Sequence, residues 1–386
     1  MAAPVPGDLL SSAQLNRALL ARQHLLDRHS GPALEVVEDL VGQQAQNAWS
    51  PYVGLWSRVS GFRPAELGDA IWDRTVARIA VMRGTIHLVT RDDALLLPAL
   101  MAPLYARDLE VNVQHAAGLR GVDVGEVTAV ARTLVELEPR VTTDLGRLLA
   151  ERWPQVAPST LAYAARGTLP LVQVPPRGVW GRSGATTWTT ADAWFGTASA
   201  DLSEPDVLER EHERLVLRYL RAFGPASVAD VQNWSGLRGL RAVVDRLGDQ
   251  LVRYRADPPP GGVRPRELLD VPDGPLPDPG TPAPVRFLPD LDNVLLGHAD
   301  RTRIISEEHR RSLATSNGVV PPTFLLDGRV AGTWAVSRER DAPATLTVRP
   351  FAPVTAADRR LVEDEAEAFV RFMADDAVAH RVVVED

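Results

Sequence analysis

Two glutamines separated by one residue, Gln44-Ala45-Gln46, are the most unusual chemical feature of the sequence, in a tract that also holds Gln43, Asn47, Trp49, Tyr52 and Trp56. Side chains at i and i+2 point about 200° apart on a helix but to one side on extended or kinked backbone. Two neutral amides on one side offer carbonyl acceptors for the hydrogens of a water, and N–H donors besides, without a fixed charge. The same residues also suit a helix surface or the cap of an interior turn, and composition alone favours that plainer role.

A second dense cluster runs from Leu291 to Arg303 and contains Asp292, Asn293, His298, Asp300, Arg301 and Arg303. His-x-Asp-Arg could bind a phosphate or orient a water, and it could equally be a buried salt-bridged turn between strands. Arg83 and Arg166 open two matching stretches, Arg83-Gly84-Thr85-Ile86-His87-Leu88-Val89 and Arg166-Gly167-Thr168-Leu169-Pro170-Leu171-Val172, which lie 83 residues apart and share five of seven residues. Their repetition favours a structural role, closing a helix end in each unit.

Much other chemistry is excluded. The 42 basic residues are all arginine, so no Schiff-base lysine and no phosphate loop ending in Gly-Lys-Ser/Thr can form. With no cysteine there are no disulfides, thiolate metal sites or cysteine nucleophiles. The eight histidines make no His-Glu-x-x-His, and Gly-x-Ser-x-Gly is absent, so neither a metal nor another cofactor is expected.

The elements that must carry these residues read as a repeated unit. Ser11 with Gln14 forms a capping box ahead of an apolar stripe at Leu15, Leu19 and Leu26. Periodicity predicts helices over 124–137, 143–153 and 159–166, then a turn at Pro175-Pro176-Arg177-Gly178 and a returning strand at 186–189, the order of a winged helix-turn-helix. A fainter copy follows, with helices over 207–223, 227–234 and 237–247 and a strand over 250–254. The first copy is expected to have a helix running through Ile79 and Ala80. If Asp39, Asp144 and Asp230 mark equivalent second helices, Asp39 to Arg83 spans 44 residues against 22 from Asp144 to Arg166, which implies an insertion beginning near residues 42–47. Ten prolines between 257 and 284 suggest a semi-rigid loop, and beyond it strands are expected over 285–288, 294–298, 323–326 and 330–336, with an acidic helix over 356–373.

The reading is therefore α+β, with three tandem winged helix-turn-helix modules at 1–120, 121–200 and 201–256, the loop at 257–284 and a β-rich portion at 285–386. The net charge of −8 argues against generic polyanion binding, yet residues 351–386 hold nine acids and four arginines, while 155–191 carry Arg166, Arg177 and Arg182 with no acid. No apolar run approaches the roughly 18 residues of a membrane span, and no signal-like segment opens the chain, so a cytoplasmic protein is expected.

The Gln-Ala-Gln tract within 40–55, the Arg-Gly-Thr-Ile-His-Leu-Val stretch at 83–89 and the Leu-Leu-Gly-His-Ala-Asp-Arg-Thr-Arg stretch at 295–303 together resemble the AlkZ/YcaQ superfamily of winged-helix DNA glycosylases, in the same order and over nearly the whole chain. The resemblance implies a C-shaped protein with double-stranded DNA in its channel. It also implies excision of alkylated purines, N7-alkylguanine included, and in some members the unhooking of interstrand crosslinks made by azinomycin-like antibiotics. Gln44 and Gln46 match the glutamine, aliphatic residue, glutamine motif of the AlkZ branch, with the small Ala45 between them. Without lysine the reaction would stop at an abasic site. Arg166, Arg177, Arg182, His298, Arg301 and Arg303 are the expected DNA contacts, and a monomer is expected. Two rivals stand beside this reading: a non-catalytic winged-helix transcriptional regulator, and a protein that sequesters a drug.

Overall fold

The computed structural model describes residues 5–258, 265–313, 320–339 and 342–385. Ser11 caps the first helix, its hydroxyl accepting from the Gln14 N–H while the Gln14 side chain accepts from the Ser11 N–H. In chain order the first stretch holds β1 (Leu9–Leu10), α1 (Ser12–Arg22), α2 (Ala33–Asp39), β2 (Gln43–Gln44), α3 (Ser50–Arg58), α4 (Pro64–Trp72), β3 (Val76–Ala80) and β4 (Ile86–Thr90), followed by α5 (Arg91–Leu100) and α6 (Ala102–Val111). The second holds α7 (Val124–Leu137), β5 (Arg140–Val141), α8 (Thr142–Ala150), α9 (Pro158–Thr168), β6 (Leu171–Val174), β7 (Thr187–Thr190) and α10 (Ala191–Phe195). The third holds α11 (Pro205–Phe223), α12 (Val228–Ser235), α13 (Leu240–Leu247), β8 (Val252–Ala256) and β9 (Arg266–Asp270). The last holds β10 (Arg286–Leu288), α14 (Asn293–Leu296), α15 (Glu307–Ser312), β11 (Thr323–Leu326), β12 (Arg329–Ser337), β13 (Ala344–Pro350), α16 (Ala356–Met373) and β14 (His380–Val384).

The order helix, strand, helix, helix, strand, strand recurs three times. In each copy the first strand pairs with the last: β2 with β4, β5 with β7, and Ala226, as a single bridge, with Leu269 of β9. The closing hairpins are β3/β4, β6/β7 and β8/β9. The first two copies fuse through β3 and β6 into a six-stranded sheet, β2-β4-β3-β6-β7-β5. The last part is a five-stranded sheet, β10 to β14 in order, with α16 packed on it through Val362, Ala366, Phe369 and Val370.

Several expectations change. Ile79 and Ala80 lie in a strand, not a helix. β3 sits between β4 and β6 and is buried almost throughout, so its apolar run lacks the alternation that marks a half-exposed strand. The first copy has no extra element: Asp39 ends the helix before β2, whereas Asp144 and Asp230 lie in the helix after the equivalent strand, so the two spans compared different positions. The matching Arg-Gly-Thr stretches are not equivalent either, since Arg83-Gly84 form the turn between β3 and β4 while Arg166 to Thr168 end α9. Residues 294–298 begin as a helical turn, α14, because the Asp292 carboxylate caps the Val294 N–H. The 257–284 stretch contains β9, built from the proline-free run between Pro265 and Pro272; residues 259–264 lie outside the described residues. Among the described residues no helix is long and apolar enough to cross a membrane.

Candidate active site

The glutamine tract is extended because the chain turns sharply out of α2. Val41 (φ 54°) and Gly42 (φ 88°) are both left-handed, and their N–H groups bond back to the Glu38 and Val37 carbonyls, closing the helix end. Only glycine fits at 42: a Cβ there would lie 2.6 Å from Val89 Cγ1 and 2.7 Å from the Leu88 carbonyl oxygen. β2 then lies against β4 with Gln43 opposite Leu88 and Gln44 opposite His87, and the Ala45 N–H continues the ladder to the Ile86 carbonyl at 2.8 Å. Ala45 is fully buried in the core, which accounts for its small size. Beyond it Gln46 is exposed on a bend, so the tract delivers one buried and one exposed amide rather than a helix surface.

Contacts from the last part of the chain bracket the tract. Asn47 and Ser50 donate to the two carboxylate oxygens of Asp290, and Asn293 Nδ2 donates to the Gly42 carbonyl at 2.9 Å. Burial holds the Asp290 carboxyl above the usual carboxylate range. Arg58, at the end of α3, makes a bidentate pair with Asp292 at 2.8 and 2.9 Å. The aromatics of the tract are packing residues: Trp49 meets Trp334, Trp56 packs on Phe369 and Phe372, and the Tyr52 hydroxyl donates to the Gly178 carbonyl and accepts from the Trp180 N–H. Burial pushes the Tyr52 phenol up to about 12.

Two arginines hold the tract from below. Arg78 of β3, 3% exposed, donates through Nη2 to the Ala45 carbonyl at 2.6 Å, while its Nε and Nη1 are buried and unpartnered among the described residues. Arg83 takes a left-handed conformation (φ 56°) in the β3–β4 turn, donating through Nη1 to the Trp234 carbonyl at 2.6 Å and through Nη2 to Gln44 Oε1 at 2.7 Å. Burial lowers both guanidinium groups to about 10, with Arg177 acting further on Arg78 and Arg301 on Arg83. Both remain charged at neutral pH, and among the described residues no carboxylate bonds either. His87 shares the face of Gln44. Its Nδ1–H donates to the Thr85 carbonyl, and burial, with Arg83 adding to it, depresses the ring to about 3, so it is neutral. Its Nε2 is buried and unpartnered among the described residues.

The other expected site residues fall elsewhere. His298 and Arg303 are 1% and 3% exposed, so the expectation that they touch DNA is corrected: Nε2 of His298 bonds the Phe223 carbonyl, and Nη1 of Arg303 bonds the Pro225 carbonyl at 2.9 Å. They lock the last part of the chain onto α11 and α12, with Asp230 supplying the opposing charge and the Asp300 carboxylate paired to Arg266. Arg301, between them, is half-buried and lies within electrostatic range of Arg83. Arg166 and Arg182 are exposed and Arg177 half-buried. Arg166 lies over the Trp188 ring at 5.5 Å. Arg83 and Arg166 both line a cavity of about 700 Å³ between the first two repeats, with Tyr105, Tyr163 and Trp188. Arg78 has no sequence signal, and the repeat that drew attention to Arg83 pointed to the wrong reason. Among the described residues no group of three or more His, Cys, Asp or Glu could hold a metal.

A buried amide, an exposed amide and two cations, none of them bonded to an acid among the described residues, can position water and attract an anion, but these four groups supply neither a strong general base nor a nucleophile for a covalent intermediate. Comparison with known proteins places this chain among the DNA glycosylases, enzymes that hydrolyse N-glycosidic bonds. The chain belongs to the AlkZ-like DNA glycosylase family, whose pattern matches residues 37–372. It is 26% identical over 374 residues to an interstrand DNA cross-link repair glycosylase of Streptomyces sahachiroi, covering 91% of this chain and 94% of that protein. It shares its fold with the solved Streptomyces sahachiroi DNA glycosylase AlkZ at a TM-score of 0.77 and 23% identity, over 98% of this chain and 100% of the other.

Proposed function

We propose that this protein is a monofunctional glycosylase that hydrolyses the N-glycosidic bond of N7-alkylated purines in double-stranded DNA, with Gln44 and Gln46 holding the attacking water. The observation that carries the reading is the Gln44-Ala45-Gln46 tract, fixed beside Arg83 and Arg78 with no acid bonded to these five residues among the described residues. N7 alkylation makes the purine cationic, so the base leaves neutral and needs little general-acid help. What remains is to position a water at C1′ and tolerate an oxocarbenium-like sugar, a task of geometry and electrostatics that neutral amides can perform.

The three repeats suit winged helix-turn-helix modules, the third extending through Asp270, with the β-rich portion from 285 onward completing a channel for the duplex. Arg166, Arg177, Arg182 and Arg301 would contact phosphates, which position the protein without reading sequence. A crosslinked purine cannot leave the duplex, so action on an interstrand cross-link, the lesion named for the Streptomyces relative, would require the tract to reach it from a groove. Membership of a glycosylase family weighs against the regulator and drug-sequestering readings. The test is single-turnover release of 7-methylguanine from methylated duplex by wild type, Gln44→Ala, Gln46→Ala and the double variant, with azinomycin-type crosslinked duplex as second substrate. Each single substitution should slow release on the order of 10²-fold with DNA binding retained. Release that is indifferent to both substitutions, or absent on both substrates, overturns the proposal.

A further inference from the structure

We infer that Arg83 is a positioning residue that makes the two glutamines unequal: it fixes the Gln44 amide so that Gln44 offers only N–H donors to the reacting water, leaving Gln46 to accept the water's hydrogen. The inference rests on the assignment of Gln44 and Gln46 to catalysis above.

A guanidinium group has donors and no acceptor, so the Gln44 atom 2.7 Å from Arg83 Nη2 must be the carbonyl oxygen. The usual ambiguity of a side-chain amide is absent here. The Gln44 carbonyl is therefore turned toward Arg83 and its NH2 group is the free end. Arg83 cannot easily swing away, because Nη1 is tied to the Trp234 carbonyl at the end of α12 and its backbone is held in a left-handed turn followed by Gly84 (φ 71°). Gly236, just after α12, lets the turn approach closely: a Cβ there would sit 3.2 Å from Arg83 Cα. One guanidinium thus links the third repeat to the glutamine of the first. Gln46, exposed and without a side-chain hydrogen bond among the described residues, keeps its carbonyl available. A water between them would donate a hydrogen bond to the Gln46 carbonyl and accept one from the Gln44 N–H on one lone pair, leaving the other lone pair to bond C1′ as the C1′–N9 bond breaks and its electron pair goes to the departing neutral base. The surplus proton of the added water passes to solvent at the exposed Gln46 side.

The distinction is tested by acceptor-only replacements and by coupling, on whichever duplex wild type processes. Gln46→Glu, which keeps the acceptor, should retain a single-turnover rate within about tenfold of wild type, whereas Gln44→Glu, which loses its donors, should be as slow as Gln44→Ala. Arg83→Met should slow release on the order of 10²-fold at saturating enzyme with little change in DNA affinity, and Arg83→Lys should recover part of the rate. In a Gln44→Ala background, Arg83→Met should add almost nothing. An active Gln44→Glu beside an inactive Gln46→Glu overturns the inference. So does additivity of Arg83→Met with Gln44→Ala, or an effect of Arg83→Met on affinity and its salt dependence alone, which would make Arg83 a phosphate contact. If Arg83→Met does not fold, as read by thermal melting, the two glutamate variants and Arg83→Lys decide. Slow Gln44→Ala and Gln46→Ala variants with a full-rate Arg83→Met overturn only this inference; unaffected alanine variants overturn the reading beneath it too.

Discussion

Removing one carboxylate, in Asp292→Ala, should destabilise the fold and loosen the site together. Arg58 and Asp292 have side chains only 1% and 4% exposed and meet through two bonds, so the substitution strands a buried guanidinium. Breaking such a pair costs about 3–5 kcal/mol. Unfolding entropy of about 2.1 cal/mol/K per residue gives roughly 0.8 kcal/mol/K for 386 residues, so Tm should fall by about 4–6 °C if the chain melts as one unit. Asp292 also caps α14, and the adjacent Asn293 holds the Gly42 carbonyl, so the single-turnover rate should fall as well. The assays are calorimetric melting and base release on the same preparations, with Arg58→Met/Asp292→Leu as the control. That double variant removes both charges and should melt above Asp292→Ala. A Tm loss below about 1 °C, or a double variant that melts lower than the single, refutes the reasoning.

Two further outcomes concern pH. Neither the His87 ring, depressed to about 3, nor the Arg78 and Arg83 guanidinium groups, lowered to about 10, titrates near neutrality. The one carboxyl bonded to the tract among the described residues, Asp290, is held by Asn47 and Ser50 and raised by burial. The single-turnover rate should therefore be flat from neutrality upward and fall above about pH 10 as Arg83 loses the proton it donates. A loss of rate on acidification that Asp290→Asn removes would assign it to Asp290, and a rise with an inflection near neutrality would reveal a general base outside the tract. His87 and His298 are both depressed to about 3 from 6.5 by burial, so below pH 6.5 the unfolded chain binds more protons, and stability falls with falling pH until about 3. At pH 5 this amounts to about 2 kcal/mol for each ring, to be read as a shift in urea midpoint that His87→Gln reduces.

Elements governed by local periodicity and caps were legible to the residue, as in α7 and α16, because a helix that packs one face writes that face into the sequence. β3 was not, because a strand covered on both sides has no polar face to alternate with. The glutamine tract was legible as chemistry, since paired neutral amides among aromatics are unusual. Its support was hidden: the contacts of Arg78 and Arg83 exist only once β3 lies beside β4, a left-handed turn aims Arg83, and α12 supplies a carbonyl from 151 residues away. His298 and Arg303 misled for the opposite reason. Their polar neighbours suit a surface as well as a buried turn, and the chain that buries them, around Phe223, Pro225 and Asp230, lies in the third repeat, far away in sequence.

The electrostatics explain how an acidic protein can act on a polyanion. Its net charge of −8 includes an excess of acids in residues 351–386, whereas Arg78 and Arg83 lie beneath the glutamine tract with no opposing carboxylate in contact among the described residues. A cationic transition state next to two uncompensated guanidinium groups is unfavourable in the free protein. Duplex phosphates would reverse this, because each brings a fixed negative charge beside the site and the overall acidity discourages unproductive binding elsewhere. In the proposed reaction the DNA itself thus supplies part of the field that stabilises the oxocarbenium-like sugar as the base departs, and an amide serves at Gln44 where a carboxylate would be drawn into a salt bridge with Arg83 and would offer no donor.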